Sequence, residues 1–167
     1  MLNSYEPTFI YLQEEDAIKA GATDMKMTLA AVEKVHKLMA EGQIFNPPKS
    51  HLGLPLGSTK QTWQSFFNSM PCFIGGDVNI GGMKWAAEAK ENAKVPGIPY
   101  GIDITILSDP KTVLPFCVLN GTLITAMRTG ATAGLFAKYT APSGTDTVTS
   151  IGCGVVGRCT VMAIAEA

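Results

Sequence analysis

The chain has 167 residues, 46% of them hydrophobic and 16% charged, with a formal net charge of −1. That balance excludes the basic footprint of a nucleic-acid binder and the charge run of an acidic tether. No apolar run reaches the roughly 18–20 residues that a bilayer span requires, and Glu6, Glu14, Glu15 and Asp16 stand where a secretory leader would be basic and then apolar. The four cysteines (Cys72, Cys117, Cys153, Cys159) form no C-x-x-C pair, have no histidine cluster nearby and sit among apolar neighbours. They read as small hydrophobes in a reducing cytoplasm, not as metal ligands.

Residues 8–12 (TFIYL) read as a short strand, and residues 14–20 as a short helix closed by Gly21. Thr23 is placed to cap a second helix, with Lys26 where a full capping box would have Glu or Gln. Met27, Ala30, Ala31, Lys34, Val35, Leu38 and Met39 then give a mainly apolar face of helical period up to Gly42. Met25, Met27 and Met39 are expected in the core, and His36 on the solvated side.

From residue 44 to about 99 the texture changes to β-prone pieces punctuated by Gly and Pro: 44–45, 49–54, 62–67, 71–74 and 82–87, with a polar loop over 89–99. Residues 102–107 and 113–119 form the clearest hairpin, turned by Ser108-Asp109-Pro110-Lys111 with Pro at the second position of a type I turn. Residues 122–139 predict a strong helix in which Leu123, Met127, Leu135 and Phe136 are spaced as buried residues and Ala126, Ala131 and Ala133 favour close packing. A linker over 141–146 follows.

A strand over 147–151 then runs into Gly152-Cys153-Gly154-Val155-Val156-Gly157, a Gly-x-Gly-x-x-Gly turn, ahead of helix-forming residues 160–167. Strand, turn and helix are the context a dinucleotide-binding turn requires. The first glycine allows the tight turn, the second lets N–H groups approach a pyrophosphate, and the third permits close packing. Arg158 stands where it could meet phosphate or simply occupy the first helical turn.

Three cations have unusual surroundings: Lys49 after Pro47-Pro48, Lys84 between Met83 and Trp85 on an expected strand, and Arg128 in an otherwise small and apolar helix. A buried cation needs a partner or a ligand, and the guanidinium fork suits a carboxylate. Each could instead reach solvent or pair with Asp77, Glu88 or Asp103. His51 follows Lys49-Ser50 and could line a pocket, but no serine or cysteine nucleophile context lies nearby, which argues against a triad.

The block Ala126-Met127-Arg128-Thr129-Gly130-Ala131-Thr132-Ala133-Gly134-Leu135, with Ala137-Lys138-Tyr139, Met70-Pro71, Gly82-Met83-Lys84 and Leu119-Asn120-Gly121, resembles the ornithine cyclodeaminase/mu-crystallin family. The resemblance spans nearly the whole chain but about the first half of a family member. It implies an α+β substrate-binding and dimerisation domain over residues 1–121 and a connecting helix and linker over 122–145. The first β-α portion of a Rossmann (α/β) domain holding NAD or NADP would then occupy 146–167. It also implies that Lys49, Lys84 and Arg128 hold the substrate carboxylate, with Lys49 standing where the family usually has Arg. Thr129, Gly130 and Thr132 would lie near the nicotinamide ribose, and Gly152, Gly154, Val155, Val156 and Gly157 under the pyrophosphate. The ribose-binding acidic residue and the catalytic Asp would fall beyond residue 167.

These observations lead to the expectation of an N-terminal portion of a split or cleaved NAD(P)-dependent amino-acid oxidoreductase or cyclodeaminase. A second polypeptide would carry the rest of the Rossmann domain, and the N-terminal domain would form a homodimer. Lys84 is the candidate for assisting proton transfer. The alternative is a catalytically incomplete dimerising or ligand-binding module.

Overall fold

The computed structural model describes residues 8–54 and 65–167. They form an α/β fold of two compact units that interleave along the chain: the residues up to Gln13 with Gly42–Thr122, and Glu14–Glu41 with Leu123–Ala167. The expected division ran consecutively, whereas the first two helices group with the last two.

The first unit is a mixed seven-stranded sheet. Its strands are β1 (Ile10–Leu12), β2 (Ile44–Phe45), β3 (Ser50–Leu54), β4 (Ser65–Ile74), β5 (Ile80–Ala89), β6 (Gly101–Ser108) and β7 (Pro115–Asn120). The order is β1-β7-β6-β5-β4-β2, with β3 also on β4, and β1 runs parallel to β7 while the other pairs are antiparallel. The two pieces expected at 62–67 and 71–74 are one strand, β4, and residues 62–64 lie outside the described residues. Pro71, expected at the start of the second piece, lies inside β4. It is tolerated because it falls between the stretches of β4 that pair with β2 and with β3, where a missing N–H breaks no ladder on that side. The loop after β5 contains a 3-10 turn, Lys90–Lys94. In the β6–β7 turn the Asp109 carboxylate accepts from the N–H groups of Lys111 and Thr112 at 3.0 and 2.7 Å. Val113, expected in the strand, is instead a turn residue with φ +57°.

Strand parity separates two faces. One carries Tyr11, Leu52, Trp85, Ile102, Ile104 and Phe116, all substantially exposed. The other carries His51, Asn68, Met70, Lys84, Ala86, Asp103 and Thr105.

The second unit contains α1 (Glu14–Lys19), α2 (Met25–Ala40), α3 (Thr122–Thr140, its first residue counted with the sheet unit) and α4 (Val155–Glu166). Asp24, not Thr23, caps α2: its carboxylate accepts from the Met27 N–H at 2.9 Å. The buried stripe of α2 is Met25, Leu29 and Leu38, with Val32 partly buried; Met27 and Met39, expected in the core, are about half exposed. Likewise Phe136 is 71% exposed, while Ala126, Met127, Ala131 and Leu135 of α3 are buried with Cys159 and Ala163 of α4. The close α3–α4 approach has a local cause. A Cβ on Gly130 would lie 2.5 Å from the Cys159 carbonyl carbon, and one on Gly134 2.7 Å from the Ala163 oxygen.

On the outer side of this unit Glu33 of α2 accepts from the Tyr139 hydroxyl in a short hydrogen bond. It also pairs with Lys138 and Lys37 at 3.0 and 3.1 Å. The Tyr139 hydrogen bond first, then the two lysines, hold its carboxyl down at about 2, against 4.5 for a free Glu. A carboxyl depressed in the folded chain contributes stability that is full above the unfolded value and fades as pH falls from 4.5 toward 2. Carbon-13 titration of the Glu33 carboxyl should therefore show a low-pH transition, moved upward by Tyr139→Phe. Titration of the unaltered chain near 4.5 would contradict the arrangement.

Two segments differ from expectation at the glycine turn. Residues 147–151 are exposed and form no strand, since a strand requires a ladder and no described residue pairs with them. The helix begins at Val155, inside the glycine motif, rather than at 160. Of the cysteines, Cys117 and Cys159 are buried and Cys72 partly so, while Cys153 in the turn is exposed. None of the described helices is long and apolar enough to cross a membrane.

Candidate functional site

The site residues expected from the sequence divide between the two units. Lys49 and Lys84 belong to the sheet unit; Arg128, Thr129, Gly130, Thr132 and the glycine turn belong to the helical unit.

Lys84 sits on β5, four-fifths buried, because alternation turns it toward the same face as Asp103 on β6. Its ammonium nitrogen is 3.3 Å from Asp103 Oδ2, and the Asp103 side chain is 9% exposed. Of the three acidic partners considered from sequence, this one is realised. Asp103 is fixed through its backbone as well. Its N–H donates to the Thr122 hydroxyl at 3.1 Å, and its carbonyl accepts from the Gly121 N–H at 2.9 Å. The Asn120 side chain in turn accepts from the Thr122 N–H at 3.0 Å. The Leu119-Asn120-Gly121 corner thus holds the residue that holds Lys84. Lys49 precedes β3 and is exposed.

His51 on β3 faces the same side. Its Nδ1 lies 2.7 Å from Oδ1 of Asn68, a residue only 4% exposed, and its ring packs at 5.3 Å from that of Phe66. Neither Asn68 nor Asp103 was singled out as a site residue from sequence. They are joined to His51 and Lys84 across strands 17 and 19 positions away, and strand pairing has no local signature. The available signal was weaker: each is a polar residue inside an otherwise β-prone apolar run.

In the helical unit Arg128 is exposed on α3. The hydroxyls of Thr129 and Thr132 donate back to the carbonyls of Thr125 and Arg128 at 2.6 and 3.0 Å, which leaves their oxygens as acceptors. Gly130 is buried against Cys159, so its direct contribution is to draw α3 and α4 together. In the turn, Gly152 has φ +99°, a conformation that favours glycine. A Cβ on Gly157 would lie 2.5 Å from the Gly152 carbonyl oxygen. The third glycine therefore closes the turn on the first. Gly154 caps α4 with no side-chain hydrogen bond and nothing within 4 Å of where its Cβ would be. Val155 and Val156 open the helix, exposed. An uncapped helix N-terminus beside glycines is chemically suited to the oxygens of a pyrophosphate. Arg158, in the first turn of α4, is exposed.

The chain is 32% identical over 147 residues to an alanine dehydrogenase of Archaeoglobus fulgidus, covering 88% of this chain and 41% of that protein. It is 29% identical over 148 residues to the N-((2S)-2-amino-2-carboxyethyl)-L-glutamate dehydrogenase of Staphylococcus aureus, covering 89% and 44%. Among solved structures it matches the Thermococcus litoralis Δ1-pyrroline-2-carboxylate reductase in complex with NADH and L-proline. The TM-score is 0.83 at 28% identity, covering 95% of this chain and 46% of that one. An archaeal alanine dehydrogenase dimer with bound NAD gives 0.82 at 27%, covering 95% and 45%. The chain thus spans less than half the length of these relatives. With the family's sequence pattern matched over residues 13–167, the chain belongs to the ornithine cyclodeaminase/mu-crystallin family.

Proposed function

We propose that this chain is the substrate-binding and first nucleotide-binding portion of an NAD(P)-linked oxidoreductase acting at the α-carbon of an amino acid or the corresponding imine. The observation that carries the reading is the glycine turn: a left-handed Gly152, a Gly157 packed on it, and an α4 N-terminus left free at Gly154. Its weight comes from relatives that are named dehydrogenases and reductases and, in two solved cases, hold NAD or NADH.

In this reading the N–H groups from Gly152 to Gly157 meet the pyrophosphate, and Thr129 and Thr132 present their oxygens toward the nicotinamide ribose. The cofactor supplies the hydride acceptor or donor. Lys49, Lys84 and Arg128 would hold the substrate's α-carboxylate by charge-assisted hydrogen bonds, the positioning that hydride transfer at Cα would require. When bound, the nucleotide would supply two-electron redox chemistry at Cα: loss of the Cα hydride and an amino proton would give the imine, and their return would restore the amino acid. Lys84, paired with Asp103, serves as an anchor.

The remaining half of the relatives' length has to complete the nucleotide site. We assign it to a second polypeptide and assign homodimerisation to the exposed apolar face of the sheet, around Leu52, Trp85, Ile102 and Ile104. Co-purification of native material checks the first point: a partner of comparable size supports it, and one continuous longer chain refutes it.

In the completed enzyme, Arg128→Ala and Lys84→Ala should each raise KM for the amino acid by about 10- to 100-fold, the worth of one charge-assisted hydrogen bond. Affinity for NAD(H), followed by nucleotide fluorescence, should stay within about twofold, because neither residue is placed at the pyrophosphate. Unchanged kinetics in both variants would remove the carboxylate assignment.

A further inference from the structure

Asp103 stands just past the end of a ladder. The last pair between β6 and β7 at this end is Ile104 with Asn120, so Asp103 has no strand partner on that side. Its backbone groups are taken instead by the corner that leads into α3. The Gly121 N–H donates to the Asp103 carbonyl at 2.9 Å, and the Thr122 hydroxyl accepts from the Asp103 N–H at 3.1 Å.

The corner lies directly against the residue it holds. A Cβ on Gly121 would come within 3.1 Å of the Thr105 hydroxyl oxygen and 3.4 Å of the Asp103 Cβ. Asn120 fixes the corner in turn, its side-chain oxygen accepting from the Thr122 N–H two residues on at 3.0 Å. At the start of a helix a threonine hydroxyl ordinarily turns to the helix's own free N–H groups. That of Thr122, the first residue of α3, is spent on a strand.

What this hold reaches is Lys84. A lysine stem is flexible, and ordering it at the moment of binding costs affinity that a side chain held beforehand does not lose. The Lys84 side chain is 21% exposed, so packing by itself does not fix its nitrogen; the Asp103 carboxylate, 3.3 Å away and 9% exposed, does. A carboxylate is a fixed point only as far as its own backbone is fixed. Thr122, Asp103 and Lys84 all belong to the sheet unit, so this line of contacts is complete within it.

We propose that Thr122 is a positioning residue for the Lys84 anchor: its hydroxyl, acting through Asp103, holds the ammonium where the substrate carboxylate meets it. The inference rests on the carboxylate-anchor reading of Lys84 above. The test is steady-state kinetics of the completed enzyme, with whichever of the twenty protein amino acids it oxidises fastest as the substrate.

Thr122→Val, which keeps the shape and removes the acceptor, should raise KM for that amino acid about three- to tenfold, with kcat and affinity for NAD(H) within about twofold. Thr122→Ser, which keeps the hydroxyl, should recover most of the loss. In a Lys84→Ala background Thr122→Val should add less than about twofold, a dependence that a purely structural hydroxyl would not show. Asp103→Asn keeps both backbone bonds and should raise KM as well; it carries the test if Thr122→Val does not fold. An unchanged KM in Thr122→Val or Asp103→Asn while Lys84→Ala raises it, or an equal rise from Thr122→Val in both backgrounds, overturns the positioning role and leaves the anchor standing. An unchanged KM in Lys84→Ala overturns the anchor and the positioning role with it. Oxidation of none of the amino acids overturns the oxidoreductase reading on which both rest.

Discussion

Gly130→Ala is expected to lower the stability of the helical unit by about 3 kcal/mol, toward the upper end of the cost of overpacking a filled site. The sign is the informative part. Alanine is favoured over glycine inside a helix by about 1 kcal/mol, so an isolated α3 peptide should become more helical with the same substitution. In the folded chain the new methyl would lie 2.5 Å from the Cys159 carbonyl carbon and 2.6 Å from its oxygen. These are backbone atoms of α4, which no side-chain rotation moves. The overlap outweighs the propensity gain, and relief requires α4 to move away from α3. Gly134→Ala meets the same obstacle at Ala163, 2.7 Å from its oxygen, one helical turn along. Chemical denaturation followed by circular dichroism measures both variants. A midpoint equal to or above that of the unaltered chain would show that α3 and α4 do not pack as described. The consequence reaches the turn, because the glycine motif lies at the start of α4.

How much of this was legible in the sequence depended on the range of the interaction. The strands came through where apolar runs were bounded by Gly and Pro, and the β6–β7 hairpin where Asp109-Pro110 signalled its turn. Local capping was nearly read: the cap of α2 fell one residue later, on Asp24, because a carboxylate competes well with the neighbouring threonine hydroxyl. Periodicity misled on α2, where six apolar or small positions and Lys34 suggested one stripe but the contacts with α3 and α4 select the neighbouring one through Met25 and Leu29. That 62–67 and 71–74 join through Pro71 was not legible, because a proline breaks a strand only where a hydrogen bond is due, and register is not visible in sequence. At the site, the cations stood out because a charge among apolar residues is conspicuous. Of the buried partners, Asp103 was named as one of three possible counter-charges and Asn68 not at all, since which of them is realised appears only when β3 lies beside β4 and β5 beside β6. The 147–151 stretch has strand composition without a strand's neighbours, and composition by itself forms no ladder.

The Lys84–Asp103 pair should show a coupling of about 2–3 kcal/mol in a double-mutant cycle read by chemical denaturation. Asp103→Leu removes the carboxylate and leaves the Lys84 charge in a setting where its side chain is 21% exposed. The expected loss is about 3 kcal/mol, the lower end for a broken buried pair, because a partly exposed ammonium recovers some hydration. The backbone bonds of Asp103 to Thr122 and Gly121 survive this change, so the loss reports the side chain and not the corner. Lys84→Met by itself leaves a carboxylate that is 9% exposed, and should cost at least as much. The double variant, with two apolar side chains facing each other across β5 and β6, should recover most of both losses, since a buried ion pair and a well-packed apolar pair are close in energy. A coupling below about 0.5 kcal/mol, the level at which independent sites add, would mean that the two charges do not depend on each other. The outcome also bears on chemistry. If the double variant is as stable as the unaltered chain, folding gives no reason for an ammonium at position 84, which is the result the proposed carboxylate anchor requires.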